Sequence, residues 1–153
     1  DYVDLGSDIP LFLHQKDCLI RGKGDLIANI IFPKYHFLIV QPLFNCSTKS
    51  MYTSFKESDF DFNSDFDLEE INDQDSGNDF EKILRKNEPE FSALINYLNT
   101  LESVIFSRLT GSGSCVFSVF EKKEEAKLAQ DQFVKDYPSL WTSVVQNNVI
   151  NQL

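Results

Sequence analysis

Apolar positions along the chain fall into short blocks whose spacing switches between strand and helix periods. Residues 8–14 (DIPLFLH) read as a short helix, with Asp8 as N-cap and Pro10 in the first turn. Two brief apolar runs around Gly22-Lys23-Gly24 predict a β-hairpin over 17–31. Residues 35–41 (YHFLIVQ) form a dense apolar run ended by Pro42, as a buried strand requires. Ser47 or Thr48 then caps a helix running to about Phe55. Phe91, Leu94, Ile95, Leu98 and Leu101 recur at helical spacing behind Pro89 and give one apolar stripe. SVIFSRLTGSGSCVFSVF reads as strand, glycine turn, strand, and the run Cys115 to Phe120 is apolar on both faces, the mark of a central strand. An amphipathic helix from Glu121 to Asp136, Pro138 and a last strand from Trp141 to Val145 complete the pattern.

From residue 32 the order is β, α, acidic stretch, α, β, β, α, β. Helices on one face of a mainly antiparallel sheet make a two-layer α+β sandwich. Residues 1–31 have no partner elements of their own and read as the tail of a preceding domain, with 32–153 as the second domain. The chain opens on Asp1 rather than Met, and DYVDLGSDIP has the character of mid-protein sequence.

Composition alters this picture in one place. Glu57 to Glu81 holds eleven acidic residues and no Lys or Arg, interleaved with Phe60, Phe62 and Phe66. Like-charge repulsion makes it a long, weakly ordered connector, the acidic loop 57–78. Its carboxylates invite a calcium reading, yet the order of EF-hand ligands is missing. The net charge of −10 argues against nucleic acid as a partner. No run reaches the ~20 apolar residues of a membrane span, and the opening residues do not read as a basic, apolar leader. Cys18, Cys46 and Cys115 form no CxxC pair, and with two histidines a zinc set is not expected. Separated thiols suit a reducing, cytoplasmic setting.

Three segments carry candidate chemistry. In Leu5-Gly6-Ser7-Asp8-Ile9-Pro10, Asp8 is a helix cap or a carboxylate held against a substrate hydroxyl, and the two roles are compatible. In Arg108 to Phe117, the Gly111-Ser112-Gly113 turn is either a tight turn needing positive φ or a set of backbone amides that supports an anion. In Pro42-x4-Ser47-Thr48-x3-Tyr52, the Thr48 hydroxyl and the Tyr52 ring lie four residues apart on one helix face, either as cap and core aromatic or as a hydroxyl and π-face for a nucleobase. No Walker motif with its lysine occurs, which excludes a P-loop NTPase.

Taken in order, LGSDIPLFL, the Gly-Lys-Gly-Asp hairpin, P-x4-ST-x3-Y, SGNDFE and RLTGSGSCVFSVF resemble the later half of the GHMP kinases that act on 4-diphosphocytidyl-2-C-methyl-D-erythritol. The resemblance covers nearly all of this chain and about half of that family's length. It implies that Asp8 is the catalytic aspartate facing the hydroxyl to be phosphorylated. It implies that Tyr52 and Thr48 hold the cytosine end of a cytidine-diphosphate substrate, and that Gly111, Ser112 and Gly113 support the phosphate-binding loop. ATP, with Mg2+, would be bound mainly by an N-terminal domain that carries the glycine-serine-rich loop and the catalytic lysine. A chain without that half is expected to be inactive alone. Cys46 stands where the family has an apolar valine, and the stretch from Glu57 to Ser76 has no clear counterpart. Two other readings stay open at this point: a GHMP kinase for homoserine or mevalonate, and a stand-alone α+β binding module.

Overall fold

The computed structural model describes residues 6, 9–14, 16–22, 24–31, 33–54 and 77–147. The chain divides after Lys34, and the segment before it and the unit Tyr35–Asn147 are each taken by themselves. In the first, helix α1 (Ile9–His14) precedes an antiparallel hairpin of β1 (Cys18–Arg21) and β2 (Leu26–Asn29). Gly22 and Gly24 have φ of +68° and +92°, a region that side chains with a Cβ avoid, so the hairpin turn depends on them. His14 Nε2 lies 2.7 Å from Asn29 Oδ1 and ties the helix to the hairpin.

In the second unit the strands are β3 (His36–Gln41), β4 (Phe106–Leu109), β5 (Val116–Phe120) and β6 (Trp141–Gln146), ordered β4-β5-β3-β6 and antiparallel at every step. The alternating side-chain period sets which face is buried. His36, Leu38 and Val40 alternate inward along β3, and Val40, Val116 and Leu109 line up across three strands. That face meets the stripe Phe91, Leu94, Ile95 and Leu98 of helix α4 (Pro89–Leu98), together with Ala126, Ala129 and Phe133 of α5 (Lys123–Asp136). Pro89 opens α4 where a missing N–H costs nothing, and the Glu125 carboxylate accepts from the Lys122 N–H to begin α5. The result is an α+β sandwich with an antiparallel sheet, and β5 lies between two strands, as its apolar run requires.

Helix α2 (Thr48–Ser54) follows Pro42, and the residue after its end lies outside the described set. Ser47 rather than Thr48 is its cap: Ser47 Oγ accepts from the Ser50 N–H. The acidic connector and its three phenylalanines fall on 55–76, also outside the described residues. Beyond the expected end of that loop at 78, the last two acids of the run lie in a helix. Helix α3 (Asp79–Asn87) takes in Asp79 and Glu81, and Glu81 is buried. The reason is local: Asn78 caps the helix, Ile83 and Leu84 anchor it, and Arg85 neutralises Glu81 one turn on.

Candidate functional site

The turn between β4 and β5 is built from its glycines. Gly111 and Gly113 have φ of +53° and +97°. Thr110 N–H donates to Cys115 O (2.9 Å), and Gly113 N–H to Thr110 O (3.0 Å), which closes the loop on itself. A Cβ at Gly113 would lie 3.0 Å from Cys46 Sγ, 3.1 Å from Cys46 Cβ and 3.4 Å from Leu109 Cδ1, so close approach as well as φ requires glycine there. Burial, then the charge of Glu88, pushes the Cys46 thiol above its ordinary range, which keeps this packed sulfur in its neutral form.

Helix α2 delivers the second part. Thr48 Oγ1 lies 2.8 Å from Ser112 Oγ at the tip of the glycine turn, joining residues 64 apart in sequence. One helical turn on, Tyr52 is 65% exposed, and its ring meets Phe80 nearly at right angles with centroids 5.0 Å apart. Such an edge contact fixes the ring plane while leaving much of the aromatic surface open to a ligand.

The third part comes from the start of α3. The Asn78 side-chain amide donates to Leu109 O (2.9 Å) and Gly111 O (2.8 Å), on the two sides of Thr110. Glu81 Oε2 accepts from the Leu109 N–H at 3.0 Å. Its other oxygen accepts from Arg85 Nε (3.0 Å) and Nη2 (2.8 Å). On the β3 side, Gln41 Nε2 donates to Ser114 Oγ at 3.1 Å, and its carbonyl accepts from the Cys115 thiol.

Of the residues expected from sequence, Thr48, Ser112 and the two glycines come together, with Tyr52 a helical turn away. Asp8 lies outside the described residues. Asn78, Phe80 and Glu81 were missed as parts of the site. SGNDFE was legible as one segment of the resemblance, but its side chains were read as the end of an acidic run. The one local signal was Arg85, four residues after Glu81, where a helix would pair them.

Residues 63–139 match the family model described as GHMP kinases C terminal. The chain is 30% identical over 143 residues to the 4-diphosphocytidyl-2-C-methyl-D-erythritol kinase of Pelagibacter ubique, covering 90% of this chain and 50% of that protein. It is 34% identical over 137 residues to the kinase of the same name from Idiomarina loihiensis, covering 86% and 44%. The chain thus spans about half the length of the curated relatives it matches. A crystal structure of 4-(cytidine 5'-diphospho)-2C-methyl-D-erythritol kinase superposes with a TM-score of 0.75 at 21% identity, over 95% of this chain and 55% of that one, a likeness of fold. The chain belongs to the GHMP kinase family, whose C-terminal domain lies within the unit that builds this site.

Proposed function

We propose that this chain is the substrate-binding half of an ATP-dependent kinase that phosphorylates the 2-hydroxyl of 4-(cytidine 5'-diphospho)-2-C-methyl-D-erythritol, an isoprenoid precursor. The observation that carries the reading is the 2.8 Å contact between the Thr48 and Ser112 hydroxyls. It ties the helix bearing an open tyrosine ring to a glycine turn suited to the phosphate end of a nucleotide site. The names of the relatives support the cytidine substrate.

In this scheme Tyr52 stacks on the cytosine, and Thr48 helps to hold that end of the substrate. Gly111, Ser112 and Gly113 brace the loop that cradles the triphosphate. Asp8 accepts the proton of the attacking hydroxyl as its oxygen bonds to the γ-phosphorus. The bond from that phosphorus to the bridging oxygen breaks, and ADP leaves. ATP supplies the phosphoryl group, and catalysis is positioning plus cancellation of charge. The glycine turn fits a supporting role for ATP, since the N–H groups of Gly111 and Ser112 have no hydrogen-bond partner among the described residues. Among those residues no three His, Cys, Asp or Glu side chains converge, so none is assigned the Mg2+ ion.

The nucleotide cradle and its lysine belong, in this proposal, to an N-terminal half. Four large apolar side chains of the first unit support such a covering partner: Phe12 (75% exposed), Leu13 (57%), Leu26 (61%) and Ile31 (89%). The unpaired Cys18, Cys46 and Cys115 are in keeping with a cytoplasmic setting. No described helix is long and apolar enough to cross a membrane.

The test is Asp8→Asn in the intact enzyme. Removal of a positioned acid–base group lowers kcat by roughly 10²–10⁴ while substrate binding persists. Turnover close to wild type would remove Asp8 from the mechanism.

A further inference from the structure

Two of the side chains that hold the glycine turn in shape come from one helical turn that the proposed reaction leaves without a role. Asn78 caps α3 through Oδ1, which accepts from the Phe80 N–H at 3.0 Å. Its amide group is thereby left to donate outward, to Leu109 O and Gly111 O. Glu81, only 7% exposed, takes the Leu109 N–H with one oxygen and Arg85 with the other. Leu109 is the last residue of edge strand β4, so its backbone N–H and C=O are both held by α3 just before the glycine turn. Between these two polar side chains Phe80 meets the Tyr52 ring.

A buried carboxylate is costly unless its oxygens are paired, and here every contact it makes serves either Leu109 or Arg85. Leu109 is itself buried, so its N–H and C=O need protein partners, and the start of α3 supplies both. We infer that the first turn of α3 is a positioning element of the active site: Asn78 and Glu81 set the glycine turn, and Phe80 sets the plane of Tyr52. The phosphate end and the base end of the site are therefore held in register by three residues within four positions. This inference rests on the function proposed above for Thr48, Tyr52 and the turn.

Asn78→Asp separates positioning from stability. Aspartate caps helices as well as asparagine, so α3 keeps its start, but the two donors to Leu109 and Gly111 are gone. Two readouts are taken on the intact enzyme. In hydrogen exchange, Thr110 and Gly113 amides should lose protection by about tenfold, the worth of one net hydrogen bond, while Val116 to Phe120 stay protected. In kinetics, kcat should fall on the order of 10²-fold, as for misplacement of a site by an ångström, with KM for the cytidine substrate little changed. Phe80→Leu should do the reverse, raising KM for that substrate and sparing kcat.

Unchanged kcat in Asn78→Asp, with the turn still protected, overturns the inference. So does a loss of kcat accompanied by loss of protection across β5, which would mark a merely structural role. A wild-type enzyme that transfers phosphate to no cytidine acceptor would overturn the proposed function instead, and the exchange of Thr110 and Gly113 would still decide whether α3 holds the turn.

Discussion

At Gly113 two constraints meet: φ of +97°, and a neighbouring cysteine whose Cβ would lie 3.1 Å from an added methyl. The Cys46 Cβ is fixed to its backbone and cannot swing aside. Gly111 has a similar φ of +53° but no atom within 4 Å of a built Cβ. Alanine at Gly111 therefore costs about 1 kcal/mol of left-handed strain, while at Gly113 overpacking raises the total to about 2–4 kcal/mol. Denaturant unfolding of the two variants checks this order, and equal losses would show that Cys46 yields. The glycines themselves were legible in the sequence because a Gly-Ser-Gly between two apolar runs signals a turn. The Thr48–Ser112 contact was not, since it joins side chains that only the finished fold brings together.

At the scale of elements, α4 and the end of α5 are joined through aromatic rings. Tyr97 lies 5.8 Å from Phe133 and 5.0 Å from Tyr137, centroid to centroid, and Phe133 and Tyr137 stack at 4.9 Å. The Tyr97 hydroxyl donates to the Asp136 carboxylate. Burial, followed by that hydrogen bond and the carboxylate's charge, pushes the Tyr97 pKa up to about 12. The folded state then holds a proton that the unfolded chain gives up near a pH of about 10. The resulting stability is complete below that pH and drains away as pH rises toward about 12. A phenolate difference spectrum between wild type and Tyr97→Phe should have its midpoint near 12. A midpoint at the free-tyrosine value of about 10 would contradict the pairing. The helices and strands that build this layer were readable because their apolar periods are long and regular. The start of α3 was not: in a run of eleven acids, composition points to a solvated connector. Only tertiary partners, Leu109 and Arg85, turn Glu81 inward.

For the whole molecule, a net charge of −10 and an acidic stretch from Glu57 to Glu81 coexist with a site whose described residues present hydroxyls, amides and an aromatic ring. In the proposed function, such a surface would select its ligand by local hydrogen bonds and stacking, not by a general attraction for anions. The sandwich was anticipated from the order of elements because each strand and helix buries a face that only another layer can cover. Asp8, the proposed catalytic aspartate, was legible only through the resemblance carried by LGSDIPLFL. The central claim is that the open tyrosine beside the glycine turn receives a cytosine. Calorimetric titration of the intact enzyme with 4-(cytidine 5'-diphospho)-2-C-methyl-D-erythritol, compared with Tyr52→Ala, tests it directly. Loss of stacking should weaken that ligand by about 1–3 kcal/mol and leave ATP affinity unchanged. Equal affinity of wild type and variant for the cytidine ligand would contradict the account and favour a kinase for homoserine or mevalonate.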